Sequence, residues 1–332
     1  MLEIGSEFWE VPITNQKNII FSESTQWYLS GRSALQAIIA ELGKARSVTM
    51  PSWCCDSMIK PFIDAGLKVY FYPVYWHKGL VQEIFLDSDV LFLMDYFGYT
   101  SQHPDLSSYD GIVIRDVTHS IFSTSYDDAD YYFGSLRKWC GIWTGGYAWT
   151  KDGHHLNFGT NDDSEYVSLR KKAMLQKAEY IKGDNKDKGY LKVFDKAEEC
   201  LETVGISPSM NRDVEMAKHL DVDLITQSRR SNATVLRNGF PDWLVFPEMK
   251  PTDSPLSVPI LVPNRKRDKL RRYLINNDIY CPVHWPISRF HKLNEQTAFL
   301  YENELSLVCD QRYSNDEMNR IVDVINQFME EM

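Results

Sequence analysis

Short apolar runs alternate with helical patterns between about residues 27 and 150, and this alternation restricts the fold more than any other feature of the sequence. GRSALQAIIAELG (31–43) has its apolar residues on one helical face and ends at glycine, and CDSMIKPFIDAG is a second helical pattern. The strand-like runs are SVTM, KVYFYPV, VLFLMDYFG (90–98) and GIVIRDVTH (111–119). Strands that alternate with helices form βαβ units, whose parallel strands are buried and carry functional residues at their C-terminal ends. The pattern therefore predicts an α/β fold with a mainly parallel sheet.

Composition and charge exclude several classes of function. The chain has 332 residues, of which 43% are apolar, so it can form one large domain and a smaller one. Its formal net charge of −10 argues against a nucleic-acid or acidic-membrane partner, since both require a basic surface. No apolar run approaches the ~20 residues that span a bilayer, and MLEIGSEFWEVP has acids where a signal peptide is basic and then apolar. The six cysteines show no C-x-x-C or zinc-type spacing, which indicates reduced thiols and no metal site. We therefore expect a cytoplasmic protein without nucleic-acid, membrane or metal partners.

The stretch FGSLRKWCGIWTGGYAW (133–149) places a single lysine, Lys138, amid aromatic and apolar residues. A lysine becomes a nucleophile when its surroundings lower its pKa, and the Schiff base that it forms with an aldehyde cofactor removes its charge. The alternative is a lysine whose stem packs on apolar neighbours while its amine reaches water. Ser135 lies three residues before Lys138, and Gly145 and Gly146 follow it. The stretch alone leaves both interpretations open.

Two further segments carry groups that suit a phosphorylated ring cofactor. Asp116 ends the apolar run in VIRDVTHS, 22 residues before Lys138, and could pair with a protonated ring nitrogen. His119, three residues later, could hydrogen-bond the same ring or stack on it. SGRS (30–33) lies at a helix start, where exposed N–H groups, hydroxyls and the helix dipole favour a phosphate. Each feature also fits an ordinary cap or turn, but all of them fall within one α/β unit.

The rest of the chain is organised in two parts. Residues from about 163 to 200 are strongly charged, which is typical of solvated helix with a mobile loop. Proline-rich punctuation follows at 241–264, before a final unit that contains KLRRYLINNDIY and the amphipathic tail DEMNRIVDVINQFMEEM. We predict a large domain over 1–240, which includes the charged helical segment 163–200, and a small domain over 241–332.

Three further groups are candidates for substrate contact, each with a simpler alternative. NRKRDKLRRYL (264–274) could attract a diphosphate, although such a run is more often the solvated face of a helix. Arg229 and Arg230 could clamp a carboxylate, or pair with acids such as Asp221 or Asp223. His284 lies between two prolines in CPVHWP, which suggests a rigid segment that lines a pocket.

Taken together, these stretches resemble the DegT/DnrJ/EryC1/StrS family of sugar aminotransferases, which use pyridoxal 5′-phosphate (PLP) and have fold type I. SGRSAL (30–35) resembles the family's S-G-T-x-A-L segment, and MPSWCCDSMIKPFIDAGLKVYFYPV (50–74) resembles its proline-led strand and helix. Asp116 and His119 match an Asp-x-x-His pattern, and Lys138 precedes a glycine pair as the family's lysine does. NNDIYCPVHWP and ELSLVCDQRYSNDEMNRIVDVI resemble the segments near the active-site mouth and at the end of the chain.

The resemblance implies roles for the matching residues. Lys138 would form the Schiff base and shuttle the proton between Cα of the amino donor and C4′ of the cofactor. Asp116 would bond the pyridinium nitrogen, His119 would contact the ring or its 3-oxygen, and Gly31, Arg32 and Ser33 would hold the phosphate. The implied fold has a large PLP-binding domain with a mainly parallel seven-stranded sheet and a smaller C-terminal α/β domain. The fold also implies a homodimer with shared active sites.

The sequence departs from the family pattern at several positions. The family's serine five residues before the lysine is Phe133 here, so Ser135 would reach the phosphate instead, and the glutamate before the glycine pair is Thr144. The aromatic residue that stacks on the cofactor aligns with Cys55, which leaves Trp53 or His119 for that position. Asn211 is the counterpart of an asparagine from the partner subunit that contacts the phosphate, and it joins His284 as a candidate substrate contact.

The resemblance implies a PLP-dependent aminotransferase that moves an amino group from glutamate or glutamine to a nucleotide-linked keto sugar. The pathway would serve surface polysaccharide or specialised-metabolite synthesis. Lys138 is retained where some family members carry histidine and act as dehydratases, which favours transamination. The alternatives are transamination of a non-nucleotide acceptor and a non-catalytic regulatory or structural protein with the same fold.

Overall fold

A computed structural model describes residues 3–100, 104–123, 128–159, 164–291 and 293–331. The strands are β1 (Ile4–Gly5), β2 (Gln26–Tyr28), β3 (Ser47–Pro51), β4 (Lys68–Tyr72), β5 (Val74–Trp76), β6 (Leu80–Gln82), β7 (Val90–Met94), β8 (Ile112–Asp116), β9 (Tyr131–Ser135), β10 (Gly146–Thr150), β11 (Val258–Leu261), β12 (Ile279–Tyr280) and β13 (Glu304–Leu307). The α-helices are α1 (Gly31–Ile39), α2 (Asp56–Asp64), α3 (Ser164–Lys182), α4 (Tyr190–Cys200), α5 (Asn211–Lys218), α6 (Val222–Gly239), α7 (Arg267–Asn276), α8 (Glu295–Asn303) and α9 (Asn315–Glu331). Short 3₁₀ turns cover Leu136–Lys138, Pro241–Trp243 and Pro263–Arg265.

The central sheet has seven strands in the order β2-β10-β9-β8-β7-β3-β4, and it confirms the predicted mainly parallel arrangement. The neighbours from β9 to β4 are all parallel, whereas β10 runs antiparallel to both β9 and β2. Every residue of β7 is buried, as expected for a central strand covered on both faces. The strands predicted from the four apolar runs are β3, β4, β7 and β8. Their parallel C-terminal ends bring residues that are distant in sequence to one edge of the sheet.

A second apolar core lies beside the sheet. It is built from residues of α6, α7, α9, β11 and β13 together with Ile4 of β1. β11 pairs with β13 in antiparallel fashion, and β1 pairs with β12 in parallel. This unit matches the predicted smaller α/β part, although it also uses Ile4 and the C-terminal half of α6. The division of the chain at residue 240 stays a prediction.

The charged segment forms two helices, α3 and α4, that pack against each other. It is less solvated than the sequence suggests, because Lys177 and Arg170 of α3 are fully buried. Lys177 contacts the Glu3 carboxylate, and Arg170 donates to Glu7 at 3.1 Å. Residue 163, with which the prediction began, lies outside the described residues. The interpretation as a solvated segment is therefore wrong for these two side chains, which find carboxylate partners in the residues around β1.

Candidate active site

A cavity of about 920 Å³ opens at the C-terminal edge of the sheet. Its walls come from the start of α1, the ends of β8 and β9, part of α4, and the segments around residues 282 and 310. The predicted site residues that line it are Gly31, Arg32, Cys55, Asp116, His119, Ser135, Lys138 and His284. The fold thus brings the three stretches singled out in the sequence into one place.

Lys138 ends the 3₁₀ turn that follows β9, and its side chain is exposed to this cavity. The turn is fixed by two backbone bonds, from Leu136 N to Gly145 O at 2.9 Å and from Trp139 N to Leu136 O at 2.9 Å. Leu136 and Trp139 are fully buried, so the apolar run packs in the core while the lysine points out of it. Within the described residues the Lys138 amine forms no hydrogen bond and no ion pair. Of the two interpretations that the stretch left open, the structure shows a lysine whose neighbours are buried and whose amine is accessible from the cavity; its role as the Schiff-base lysine stays a prediction.

Asp116 is the last residue of β8 and is only 2% exposed. Its Oδ1 accepts a 2.8 Å hydrogen bond from Thr118 N–H, while Oδ2 accepts none from the part of the chain that the structure describes. Burial raises the pKa of Asp116 to about 6, although Thr118 and Lys138 act in the opposite direction. The site therefore presents a buried carboxylate that forms no ion pair with the described residues, which favours a cationic partner.

His119 lines the cavity, and one hydrogen bond to its ring determines which ring nitrogen carries the proton. Its Nδ1 accepts a hydrogen bond from Phe97 N–H at 3.3 Å, so the neutral ring carries its proton on Nε2. Burial, followed by Lys138, lowers the pKa of His119 to about 3, and the ring is neutral at physiological pH. The ring also stacks on Trp285, with centroids 5.9 Å apart and an interplanar angle of 17°. His119 is therefore a fixed hydrogen-bond donor.

The start of α1 forms a cradle with Ser135. Ser30 caps the helix by accepting from Ser33 N–H at 3.2 Å, which leaves the N–H groups of Gly31 and Arg32 without a partner among the described residues. A Cβ built on Gly31 would lie 3.3 Å from Ser135 Cβ, so the helix start and this serine are in close contact. Free N–H groups, a hydroxyl and the positive helix end together suit a phosphate.

Gly146 allows β10 to lie close to the start of α1. A Cβ built on Gly146 would lie 2.1 Å from the Ser30 carbonyl oxygen, so any larger residue would push β10 away from the start of α1. Thr144, which stands where the family has glutamate, donates to Asp213 Oδ2 at 2.7 Å and thereby ties the glycine turn to α5.

Three predicted site residues lie outside the cavity wall. Trp53 is fully buried, stacks on Tyr96 and donates to the His284 carbonyl at 2.7 Å, so of the two alternatives for the stacking residue only His119 lines the cavity. Ser33 is corrected, because its hydroxyl donates to Gly205 O at 2.9 Å and its N–H is used by the Ser30 cap. Asn211 begins α5 on the exposed surface, and its role toward a partner subunit stays a prediction.

The two candidate arginines of α6 do not pair with Asp221 or Asp223. Arg229 is fully buried at the cavity wall and donates to Leu256 O at 2.7 Å and to Gln311 Oε1 at 2.9 Å. Arg230 donates to the carbonyls of Lys250 and Asp253. Both guanidinium groups are thus bound by neutral acceptors of neighbouring loops, because these loops lie closer than the acids at the start of the helix.

Several cavity residues were not predicted from the sequence. Arg137 pairs with Glu198 of α4, and Arg312 pairs with Asp310 at 2.8 Å. Arg271 of α7 also reaches the wall but, unlike these residues, lies in the basic run 264–274, which the sequence offered as a diphosphate contact or as the solvated face of a helix. The position of Arg137 beside Lys138 was a usable signal, since both belong to one turn. The others come from segments whose packing no local pattern specifies.

Comparison with solved structures identifies sugar aminotransferases. PseC of Helicobacter pylori, an aminotransferase of pseudoaminic acid biosynthesis, has a TM-score of 0.63 and 14% identity over 98% of this chain and 100% of its own. A DegT/DnrJ/EryC1/StrS aminotransferase from Brucella abortus has a TM-score of 0.59 and 14% identity over 92% of this chain and 85% of its own. NtdA of Bacillus subtilis, with bound cofactor PMP, has a TM-score of 0.62 and 13% identity over 91% of this chain and 72% of its own.

These similarities confirm the predicted fold, and they fall in the class of proteins that the sequence resembles. No family model and no curated protein matches the sequence. Across the described ranges, no helix combines the length and apolar character that crossing a membrane requires. The cysteines form no disulfide with one another in the part of the chain that the structure describes.

Proposed function

We propose that this chain is a PLP-dependent aminotransferase that transfers an amino group from glutamate or glutamine to a nucleotide-linked keto sugar. One observation carries the proposal. The accessible amine of Lys138, the uncompensated carboxylate of Asp116 and the phosphate cradle at Gly31 and Ser135 line the same cavity. The fold of the similar structures supports the assignment.

The residues present fit PLP at each of its functional groups. The helix start and the Ser135 hydroxyl would hold the phosphate, Asp116 would hold the protonated ring nitrogen, and His119 would donate from Nε2 to the 3-oxygen. When bound, PLP supplies an electron sink for negative charge at the substrate Cα. Asp116 would keep the ring nitrogen protonated, and the Lys138 amine would hold the proton removed from the substrate Cα and return it on the cofactor side.

A basic part of the wall supports an anionic acceptor. Arg271 lies on the wall and donates to Cys281 O at 3.3 Å, which leaves other N–H groups of its guanidinium for a diphosphate. We further propose a cytoplasmic homodimer in which Asn211 of one subunit approaches the site of the other.

Cofactor uptake tests the central proposal. Purified protein is incubated with PLP, reduced with sodium borohydride and digested, and the modified peptide is identified by mass spectrometry. We expect one pyridoxyl group on Lys138, none in Lys138→Ala, and wild-type labelling in Lys192→Ala, which changes an exposed lysine of α4. Absence of PLP uptake, or equal labelling of Lys138→Ala, contradicts the proposal and favours the non-catalytic alternative.

The acceptor is tested by mixing the PMP-loaded protein with nucleotide-linked keto sugars or with simple keto acids, while the PLP absorbance is followed. We expect return of this absorbance with a keto sugar that carries the diphosphate, and loss of that response in Arg271→Ala. A response to the keto acids alone indicates the non-nucleotide alternative. Size-exclusion chromatography with light scattering tests the dimer.

A further inference from the structure

His284 belongs to a buried hydrogen-bonded series that ends in a carboxylate. Glu304 and Ser306 lie two residues apart on β13, so their side chains share one face of the strand. Both residues are completely buried, whereas the His284 ring lines the cavity and is 9% exposed. The His284 Nδ1 lies 2.8 Å from Ser306 Oγ, and Ser306 Oγ lies 2.5 Å from Glu304 Oε1. A series of hydrogen bonds thus leads from the side of the cavity that faces β13 to a buried carboxylate in the protein interior.

The backbone determines which oxygen of Glu304 can carry a proton. Oε2 accepts a 2.8 Å hydrogen bond from His284 N–H, and it must remain an acceptor whether or not the carboxyl group is ionised. A proton on Glu304 therefore resides on Oε1 and points to Ser306. Because a hydroxyl has one proton to donate, the state of Glu304 decides the direction of both remaining hydrogen bonds.

Two arrangements follow. When Glu304 is ionised, Ser306 donates to Oε1 and accepts from His284 Nδ1–H, so Nε2 has a free lone pair. When Glu304 is protonated, Oε1–H donates to Ser306, Ser306 donates to Nδ1, and the imidazole proton is on Nε2. Nε2 forms no hydrogen bond with the described residues, which leaves it available to a molecule in the cavity.

The surrounding charges make this exchange feasible without an imidazolium. Burial raises the pKa of Glu304 to about 8; Arg267 of α7 lies nearby, but its Nη1 donates to the backbone oxygen of Glu304 at 3.0 Å. Burial, His119 and Lys138 lower the pKa of His284 well below its usual value. Burial also raises the pKa of Cys281 to about 12, so this neighbouring thiol stays neutral.

We propose that His284 is a second proton-exchanging residue of the cavity, connected through Ser306 to Glu304 as its proton store. In the accepting direction, Nε2 takes a proton from a cavity group, Nδ1–H passes to Ser306, and the Ser306 proton passes to Glu304. The imidazole is neutral before and after, and the negative charge moves from Glu304 to the group that lost the proton. The identity of the group that exchanges a proton with His284 rests on the proposed function, in which the acceptor's oxygen and the incoming amine are the reacting groups. The hydrogen-bonded connection from His284 through Ser306 to Glu304 does not depend on that function.

Nuclear magnetic resonance of the full-length chain, labelled with ¹⁵N-histidine, tests the connection with and without PLP. His284→Gln identifies the signal among the eight histidines. We expect the His284 proton to be on Nε2 at pH 6 and on Nδ1 at pH 10, with the ratio inverting near pH 8 and no imidazolium signal at either pH.

Variants of the series sharpen the test. Glu304→Gln must keep its amide oxygen toward His284 N–H and its NH₂ toward Ser306, so the proton stays on Nε2 at every pH. Ser306→Ala abolishes the inversion, and Ser306→Thr, which keeps the hydroxyl, retains it. Matched controls are Glu302→Gln at an exposed carboxylate and Ser288→Ala at a buried serine that accepts from Phe290 N–H, and both retain the wild-type inversion.

A pH-independent His284 tautomer in the wild type, or an inversion that survives in Ser306→Ala, overturns the proposal. If Glu304→Gln does not fold, the two Ser306 variants still test whether the His284 tautomer depends on the Ser306 hydroxyl. Failure of PLP to label Lys138 would instead contradict the proposed function and leave the tautomer measurement unaffected.

Discussion

Lys138 and Lys177 are two lysines of this chain with opposite surroundings. Lys138 is exposed to the cavity and has no partner within the described residues, whereas Lys177 is completely buried and contacts the Glu3 carboxylate. The Lys177 amine also lies 4.9 Å from the ring centre of Tyr190. Burial, Arg312 and Lys188 lower the pKa of Lys177 to about 7.

The comparison shows that a perturbed pKa does not by itself locate a reactive amine. A lowered pKa such as that of Lys177 is a common mark of a reactive amine. The carboxylate partner of Lys177, the rings around it and its lack of access identify it as a structural residue. Lys138 has the access, and the groups that would prepare it for chemistry are those of a bound cofactor.

Replacing each of the two lysines in turn gives the largest expected difference in amino-transfer activity. Lys138→Ala should lower amino transfer by at least about 10⁴-fold, because it removes the residue that both holds the cofactor and moves the proton. Lys177→Met should change the turnover of folded protein by no more than about threefold, since it touches no part of the cavity. Steady-state kinetics on both variants measure the difference, and a greater loss in Lys177→Met would reverse the assignment.

The free energy of unfolding should respond in the opposite order to activity, so that Lys177→Met lowers it more than Lys138→Ala does. Among the described residues, Lys177→Met leaves the buried Glu3 carboxylate with Lys188, at 3.1 Å, as its one cationic partner, and should lower the free energy of unfolding by about 3 kcal/mol. Glu3→Gln combined with Lys177→Met should recover most of this loss, because no uncompensated charge remains. Urea denaturation of the variants measures the effect. Lys138→Ala serves as the control and should stay within about 0.5 kcal/mol of the wild type.

The Asp116 carboxylate should destabilise the cofactor-free protein, although the same carboxylate would bind the cofactor. The raised pKa of Asp116, about 6, means that the folded state binds its proton more tightly than the unfolded state does. The contribution of Asp116 to stability therefore falls as pH rises from about 4 to 6. Asp116→Asn should stabilise the cofactor-free protein by about 2 kcal/mol at pH 7, and by almost nothing at pH 3, while it weakens PLP binding.

Thermal unfolding of cofactor-free protein at the two pH values checks this prediction. Asp105→Asn, at an exposed aspartate in a turn, is the control and should not show the same pH dependence. Equal stability of Asp116→Asn and wild type at pH 7 would mean that the buried carboxylate has a compensating cation.

The smallest effect is expected at the phosphate cradle. Ser135→Ala should weaken PLP binding about tenfold, the value of one hydrogen bond to a charged group. Ser33→Ala should leave PLP affinity unchanged, because that hydroxyl is bonded to Gly205 O, and should cost about 1 kcal/mol of stability instead. Fluorescence titration with PLP separates the two serines. The reverse order would restore the role that the sequence predicted for Ser33.

The sequence predicted four strands of the central sheet, since an apolar run such as that of β7 is buried on both faces, although β4 at the sheet edge is partly exposed. It also identified Lys138, Asp116 and the helix start, which are local features of single turns. It failed where a side chain's environment depends on a distant segment. Trp53 is covered by the loop that holds His284, Ser33 is bonded to residue 205, and Lys177 meets Glu3 only after α3 packs beside β1.

The pairing of β1 with β12 has a consequence for how the chain is made. Ile4 lies opposite Ile279, so about 275 residues separate the synthesis of the two partners. At ribosomal rates of about 5–20 residues per second, that interval lasts roughly 14–55 s. During this time Ile4 and Gly5 have no β12 with which to form backbone hydrogen bonds. β1 thus acquires its hydrogen bonds to β12 only after about 275 further residues have been made, and the small core, which also contains residues of α9, can close only after that.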